Sequence, residues 1–185
     1  DAYKMFETLN DRGVGISQVD LIKNQIFGRA TDRHSEVQTK WTSMRSTLES
    51  SDQDDIVIDF IRHSLIAMSG HVVQSDLYNR VQTIVRSEQA AIDLSITLDD
   101  LSTIYIATFN PQHERWSDYP TSVRRALQVS SLFKIKPLRA AMLSIAAKMS
   151  PKEAAKAFQF LVSLGVRLML ASSTRSGSVE IPLAE

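Results

Sequence analysis

Between Phe6 and Asn24 the sequence FETLNDRGVGISQVDLIKN sets an amide, a guanidinium and two glycines into a corner between two helical patterns. Asn10 can donate and accept hydrogen bonds, and Arg12 carries a permanent charge on a fork of donors. Gly13 and Gly15 free the backbone beside it. A cation on such a corner, next to a helix N-terminus and with Lys23 farther along that helix, suits phosphate binding. The same residues also make a plain structural corner, because Asn and Gly accept left-handed backbone and Ser17 caps the next helix. Residue types alone leave both readings standing. A DNA-reading helix-turn-helix ranks below them, since its corner takes three or four residues and this one has about seven.

Other constellations are weaker. His34, His63, His71 and His113 are scattered without metal-ligand spacing and read as surface or packed histidines. With no cysteine the chain has no disulfide framework, thiolate metal site or cysteine nucleophile, which favours an intracellular, cytoplasmic setting. Asp55 and Asp59 stand one helical turn apart, a spacing that serves a shared cation or, more simply, a solvated acidic helix start. Glycine-rich phosphate loops and the Gly-x-Ser-x-Gly nucleophile motif are missing from the sequence. Net charge is zero but uneven: residues 49 to 59 hold five acids and no base, whereas residues 119 to 152 hold seven bases and no acid. Arg124, Arg125, Lys134, Lys136 and Arg139 are the candidate nucleic-acid contacts of that stretch, with Lys148 and Lys152 beyond them. An ordinary solvated helix surface, paired with the acidic helix, is the alternative.

The elements that must position these residues are helical throughout. Apolar residues recur at three- and four-residue spacing, strand alternation is lacking, and 185 residues with 43% hydrophobic content suffice for a buried core. The expected fold is all-α, an irregular multi-helix bundle of about eight helices. Met5, Phe6 and Leu9 mark the first; Ser17 and Asp20 form a capping box for the next, striped by Val19, Ile22 and Ile26. Further stripes are Val37, Trp41, Met44 and Leu48; Ile56, Val57, Phe60, Ile61, Leu65 and Met68, closed by Gly70; and Leu77, Tyr78, Val81, Ile84 and Val85. A longer helix steps through Ala91, Leu94, Leu98, Leu101, Tyr105 and Thr108. The polar segment 110–120, with Pro111 and Pro120 near its ends, breaks the pattern. Val123, Ala126, Leu127 and Phe133 resume it, then Leu138, Ala141, Met142 and Ile145. Ser150, Pro151 and Glu153 open the last long helix, whose apolar run is too short and interrupted to span a membrane. Residues 172–185 read as an exit loop toward a further segment, and the start without Met, inside a helical pattern, reads as a piece cut from a longer protein.

Residues 2 to 27 closely resemble the closing segment of the DGQQR-motif domain of GmrSD-type restriction endonucleases, a ParB-like family. The family pattern is roughly Phe-Glu-x-Leu-Asn-x-Arg-Gly-x-x-Leu-Ser-x-x-Asp-Leu-x-Lys-Asn. Phe6, Glu7, Leu9, Asn10, Arg12, Gly13, Ser17, Asp20, Leu21, Lys23 and Asn24 match it, with Ile16 in place of Leu. The match covers about a seventh of the chain; the tail from Arg167 is also similar to a looser Arg-x-x-Gly-Ser segment of the family. The resemblance implies that residues 1–31 close a nucleotide-binding domain and residues 32–171 form a helical domain. It also implies a parent that uses an NTP with a divalent cation to restrict foreign, modified DNA in phage defence. Asn10, Arg12 and Gly13 would face the nucleotide or the Asp-Gly-Gln-Gln-Arg motif, with Lys23 and Asp20 as secondary candidates there and Asp20 alternatively only capping its helix. The sequence departs from the full pattern in lacking Asp-Gly-Gln-Gln-Arg and any His-centred nuclease motif. The partners implied are therefore an upstream DGQQR core, DNA and a downstream nuclease domain, and this piece alone is not expected to catalyse. A homo-oligomer is a further expectation, because the first helix has an apolar face made for an absent core. The rival reading is a non-catalytic helical interaction module.

Overall fold

The computed structural model describes residues 17–51, 55–133 and 138–171, the side chains of Leu170 and Ala171 excepted. Among these residues there are eight α-helices and no strand: α1 Gln18–Arg29, α2 His34–Glu49, α3 Ile56–Ser69, α4 Leu77–Ile84, α5 Glu88–Ala107, α6 Thr121–Leu132, α7 Arg139–Lys148 and α8 Pro151–Ala171. The fold is an all-α multi-helix bundle. The expected helix at Met5 to Leu9, the corner from Asn10 to Gly15, Lys134, Lys136 and the segment 172–185 lie outside the described residues.

The chain divides into two compact units, one of residues 1–62 and 72–102 and the other of residues 63–71 and 103–185, so α3 and α5 each contribute to both. In the first unit, α1 packs on α2 and α4. Ile22 and Ile26 are fully buried, as are Val37 and Leu48 of α2 with Trp41 and Met44 nearly so. At about 25 cal/mol per Å² of apolar surface, such stripes supply most of what holds short helices in place. Two polar ties add geometry. Glu88 Oε1 accepts from Thr31 Oγ1 at 2.8 Å and from the backbone N–H groups of Asp32 and Arg33 at 2.8 and 3.2 Å, anchoring the entry to α2. Lys40 Nζ meets Asp99 Oδ2 at 2.8 Å.

In the second unit α6 and α7 both pack on α8. Its core gathers Val123 and Leu127 of α6, Met142 of α7 and Phe158 of α8 around Trp116. Trp116 sits in a short 3₁₀ turn, Glu114–Trp116, within the segment read from sequence as a polar break. Its indole Nε1–H donates to the Ala107 carbonyl at 2.9 Å, and its ring meets Tyr119 and Phe158 edge-on at 5.1 and 5.9 Å between centroids. Arg115 donates to the Ala146 carbonyl of α7 at 2.8 Å, satisfying a helix-end acceptor. The break is thus a tethered corner.

Gly70 ends the α3 segment with φ 86°, its N–H bonded to the Ile66 carbonyl at 3.0 Å, a left-handed closure that costs glycine nothing. Two apolar residues expected inside are outside. Met68 is 42% exposed although it stands on the helical face of Ile61 and Leu65, in the last turn of α3 where the covered surface ends before the helix does. Phe133, at 41%, caps α6 one residue past its end, its N–H still bonded to the Val129 carbonyl at 3.0 Å, beyond the stretch whose face buries Ala126 and Leu127.

Candidate functional site

The described part of the phosphate-binding candidate is the start of α1. Ser17 has extended backbone, and its Oγ accepts from the Asp20 N–H at 3.0 Å. Asp20 Oδ2 accepts in return from the Ser17 N–H at 3.1 Å and from its hydroxyl at 2.6 Å. The capping box is complete, and the Asp20 carboxylate is engaged in it. The hydrogen bonds from the Ser17 side chain and backbone hold Asp20 below the usual carboxylate range, with Lys23 and Arg45 adding smaller electrostatic support. Lys23 Nζ lies over the Phe27 ring, 5.3 Å from its centroid, a cation–π contact along its own helix. Gln18 Nε2 donates to the Gln74 carbonyl at 2.8 Å and fixes the α1 entry within its unit.

Beside this cap is an open hollow of about 430 Å³ lined by Ser17, Asp20, Arg45, Glu49 and Asp55 among others. Arg45 is the cation of the hollow, and its Nε donates to Glu49 Oε1 at 2.9 Å. Asp55 takes φ 57°, uncommon for a residue with a side chain, just before α3. Among the described residues, no group of three or more His, Cys, Asp or Glu side chains is arranged to hold a metal ion. Arg45 was not singled out from the sequence; its only local signal was the four-residue spacing to Glu49. Asn10, Arg12 and Gly13 lie outside the described residues.

The box gives a direct pH expectation. Because the folded-state pKa of Asp20 lies below its ordinary value, its contribution is fully present above the ordinary carboxylate range and lost as pH falls through the folded value. Asp20→Asn should therefore be less stable than the parent chain at pH 7, with the gap closing in acid. Urea titrations of both chains at pH 7 and pH 2.5 measure it, and a constant gap would contradict the assignment.

The basic candidates lie in the second unit and are put to different uses. Arg124 donates to Gln112 Oε1 at 3.3 Å, and Arg139 stacks over the Phe109 ring with its guanidinium carbon 3.5 Å from the centroid. Lys148 donates to the Ala67 carbonyl. Arg125 is exposed on α6 and Lys152 on α8. The sequence run thus separates into cations bound to acceptors or a ring of their own unit and cations at the surface. Arg125 and Arg167 also line an open, mainly apolar groove of about 440 Å³ between α6 and α8, with Ala126, Val129, Val162 and Val166.

No protein-family model, curated protein or solved structure matches the chain.

Proposed function

We propose that this chain is a helical piece of a GmrSD-like, modification-dependent restriction endonuclease, completing one edge of its NTP site and working in the cytoplasm against foreign DNA. The observation that carries the reading is the run from Phe6 to Asn24, in which Asn10, Arg12, Gly13, Ser17, Asp20 and Lys23 stand at the family's spacing. The cap geometry supports it by giving Asp20 a structural duty, which leaves Asn10, Arg12 and Gly13 as the groups for phosphate chemistry. Arg12 would stabilise developing phosphate charge, and Asn10 would orient a phosphate or a neighbouring catalytic group. The divalent cation would be held mainly by groups of the upstream core and by the NTP itself. Arg125 is the exposed arginine left to contact DNA from the 119–152 stretch.

The test is made in the intact parent protein. Arg12→Ala should lower NTP hydrolysis at least tenfold, a loss of about 1.4 kcal/mol of transition-state stabilisation, with an unchanged melting temperature. Undiminished turnover would remove Arg12 from the site. A parent reading frame without Asp-Gly-Gln-Gln-Arg upstream of this chain would remove the family reading itself.

A further inference from the structure

The α6–α8 groove pairs an apolar lining with the guanidiniums of Arg125 and Arg167. Ala126 and Val162 are buried at its base, Val129 and Val166 are half-buried, and Arg125 and Arg167 join the lining as exposed side chains. The stretch from 119 to 152 that supplies α6 holds no acid to balance them. An occupant should therefore bring small branched apolar side chains and carboxylates on a short, narrow segment.

The chain carries such a segment directly after α8, which forms one wall of the groove. Residues 178–185 read SVEIPLAE, with Val179, Ile181 and Leu183 at alternate positions and Glu180 and Glu185 beside them. Pro182 biases Ile181 toward extended backbone and has no N–H to desolvate, so the alternation is kept at low cost. The reach is sufficient. Residues 172–177 can cover up to roughly 20 Å, enough to reverse around a helix about 10 Å wide, and eight extended residues cover roughly 26 Å against about 12 Å from Gln159 to Arg167 along α8. The short tether also raises the effective concentration of this segment above that of any free competitor.

We propose that residues 178–185 dock in cis in the α6–α8 groove, placing Val179, Ile181 and Leu183 on its apolar lining and their flanking carboxylates against Arg125 and Arg167. The segment is then a built-in occupant that covers an apolar surface and neutralises Arg125, so an anion that needs Arg125 must displace it. This inference is independent of the nucleotide-site reading.

The absence of cysteine makes the test clean. Ser163, which lines the groove, is changed to cysteine together with Val179, Ile181 or Leu183, one at a time, in the 185-residue chain. The reference pairs use Gln128→Cys, exposed on α6 and turned away from the face that lines the groove. In a glutathione buffer, at least one Ser163 pair should form an intramolecular disulfide with an equilibrium constant tenfold or more above every Gln128 pair. E180R/E185R should remove most of that excess, and adding R125E/R167E to the same chain should restore it. Equal constants for the two sets would overturn the proposal, as would disulfide-linked dimers in place of monomers, which would assign the groove to a second copy. Indifference to the charge reversal would overturn the pairing with Arg125 and Arg167.

Discussion

Replacing Trp116 with alanine is expected to lower the unfolding free energy of the chain by about 4 kcal/mol, the range for truncating a fully buried tryptophan. Trp116 has no exposed surface, meets two aromatic rings edge-on and donates its indole N–H to the Ala107 carbonyl. Alanine would leave a cavity among Val123, Leu127 and Phe158 and would take one of two hydrogen bonds from the Ala107 carbonyl, which also accepts from the Asn110 N–H at 3.2 Å. Phenylalanine should cost less, since it fills part of the space and loses the hydrogen bond. The chain has two tryptophans, Trp41 in the first unit and Trp116 in the second. In the alanine variant the emission of Trp41 alone follows the first unit, while circular dichroism follows both. The helical signal should lose its early part at lower urea than in the parent chain. A destabilisation below about 1 kcal/mol would mean that Trp116 does not centre this core.

Trp116 also marks the limit of what the sequence could say. Helix existence was readable because three- and four-residue spacing repeats over many residues, as at Val37, Trp41, Met44 and Leu48, all buried in α2. Caps were readable because their partners are three residues apart, as Ser17 with Asp20 and Ser150 with Glu153, whose carboxylate accepts from the Ser150 hydroxyl at 2.6 Å. Trp116 has no periodic neighbours, so a polar segment concealed the largest side chain of the second core. Glu88 and its partners at Thr31 to Arg33 lie more than fifty residues apart, and nothing local links them. The basic run shows the same boundary at the candidate site. A count of cations cannot show that Arg139 stacks on Phe109 or that Lys148 serves the Ala67 carbonyl, while Arg125 and Arg167 share a groove. The corner at Asn10 to Gly13 was legible only as residue types at a family's spacing, and the first turn of α1 is where structure begins to bear on it.

Ile22→Ala tests that bearing. Alone, a 12-residue helix is marginal in water, so α1 owes its stability to the face it packs on α2 and α4. Ile22 and Ile26 are fully buried there. Truncating Ile22 should cost about 3 kcal/mol, and the loss should fall first on the element it seats. Amide exchange of α1 is expected to lose protection by two orders of magnitude or more, because that factor corresponds to about 2.7 kcal/mol of local opening, while α6 and α8 keep theirs. Under the proposed function, the same substitution in the intact parent would distinguish positioning from chemistry. If Arg12 touches phosphate, Arg12→Ala removes a fixed transition-state interaction, and its deficit in NTP hydrolysis stays nearly constant between 10 and 37 °C. Ile22→Ala acts by unseating the helix that follows the corner, so its deficit should be small in the cold and grow on warming as α1 opens. A temperature-independent deficit for Ile22→Ala, or full α1 protection in its presence, would detach the corner from the packing of α1 and leave Ser17 and Asp20 as the cap of a helix with no part in the site.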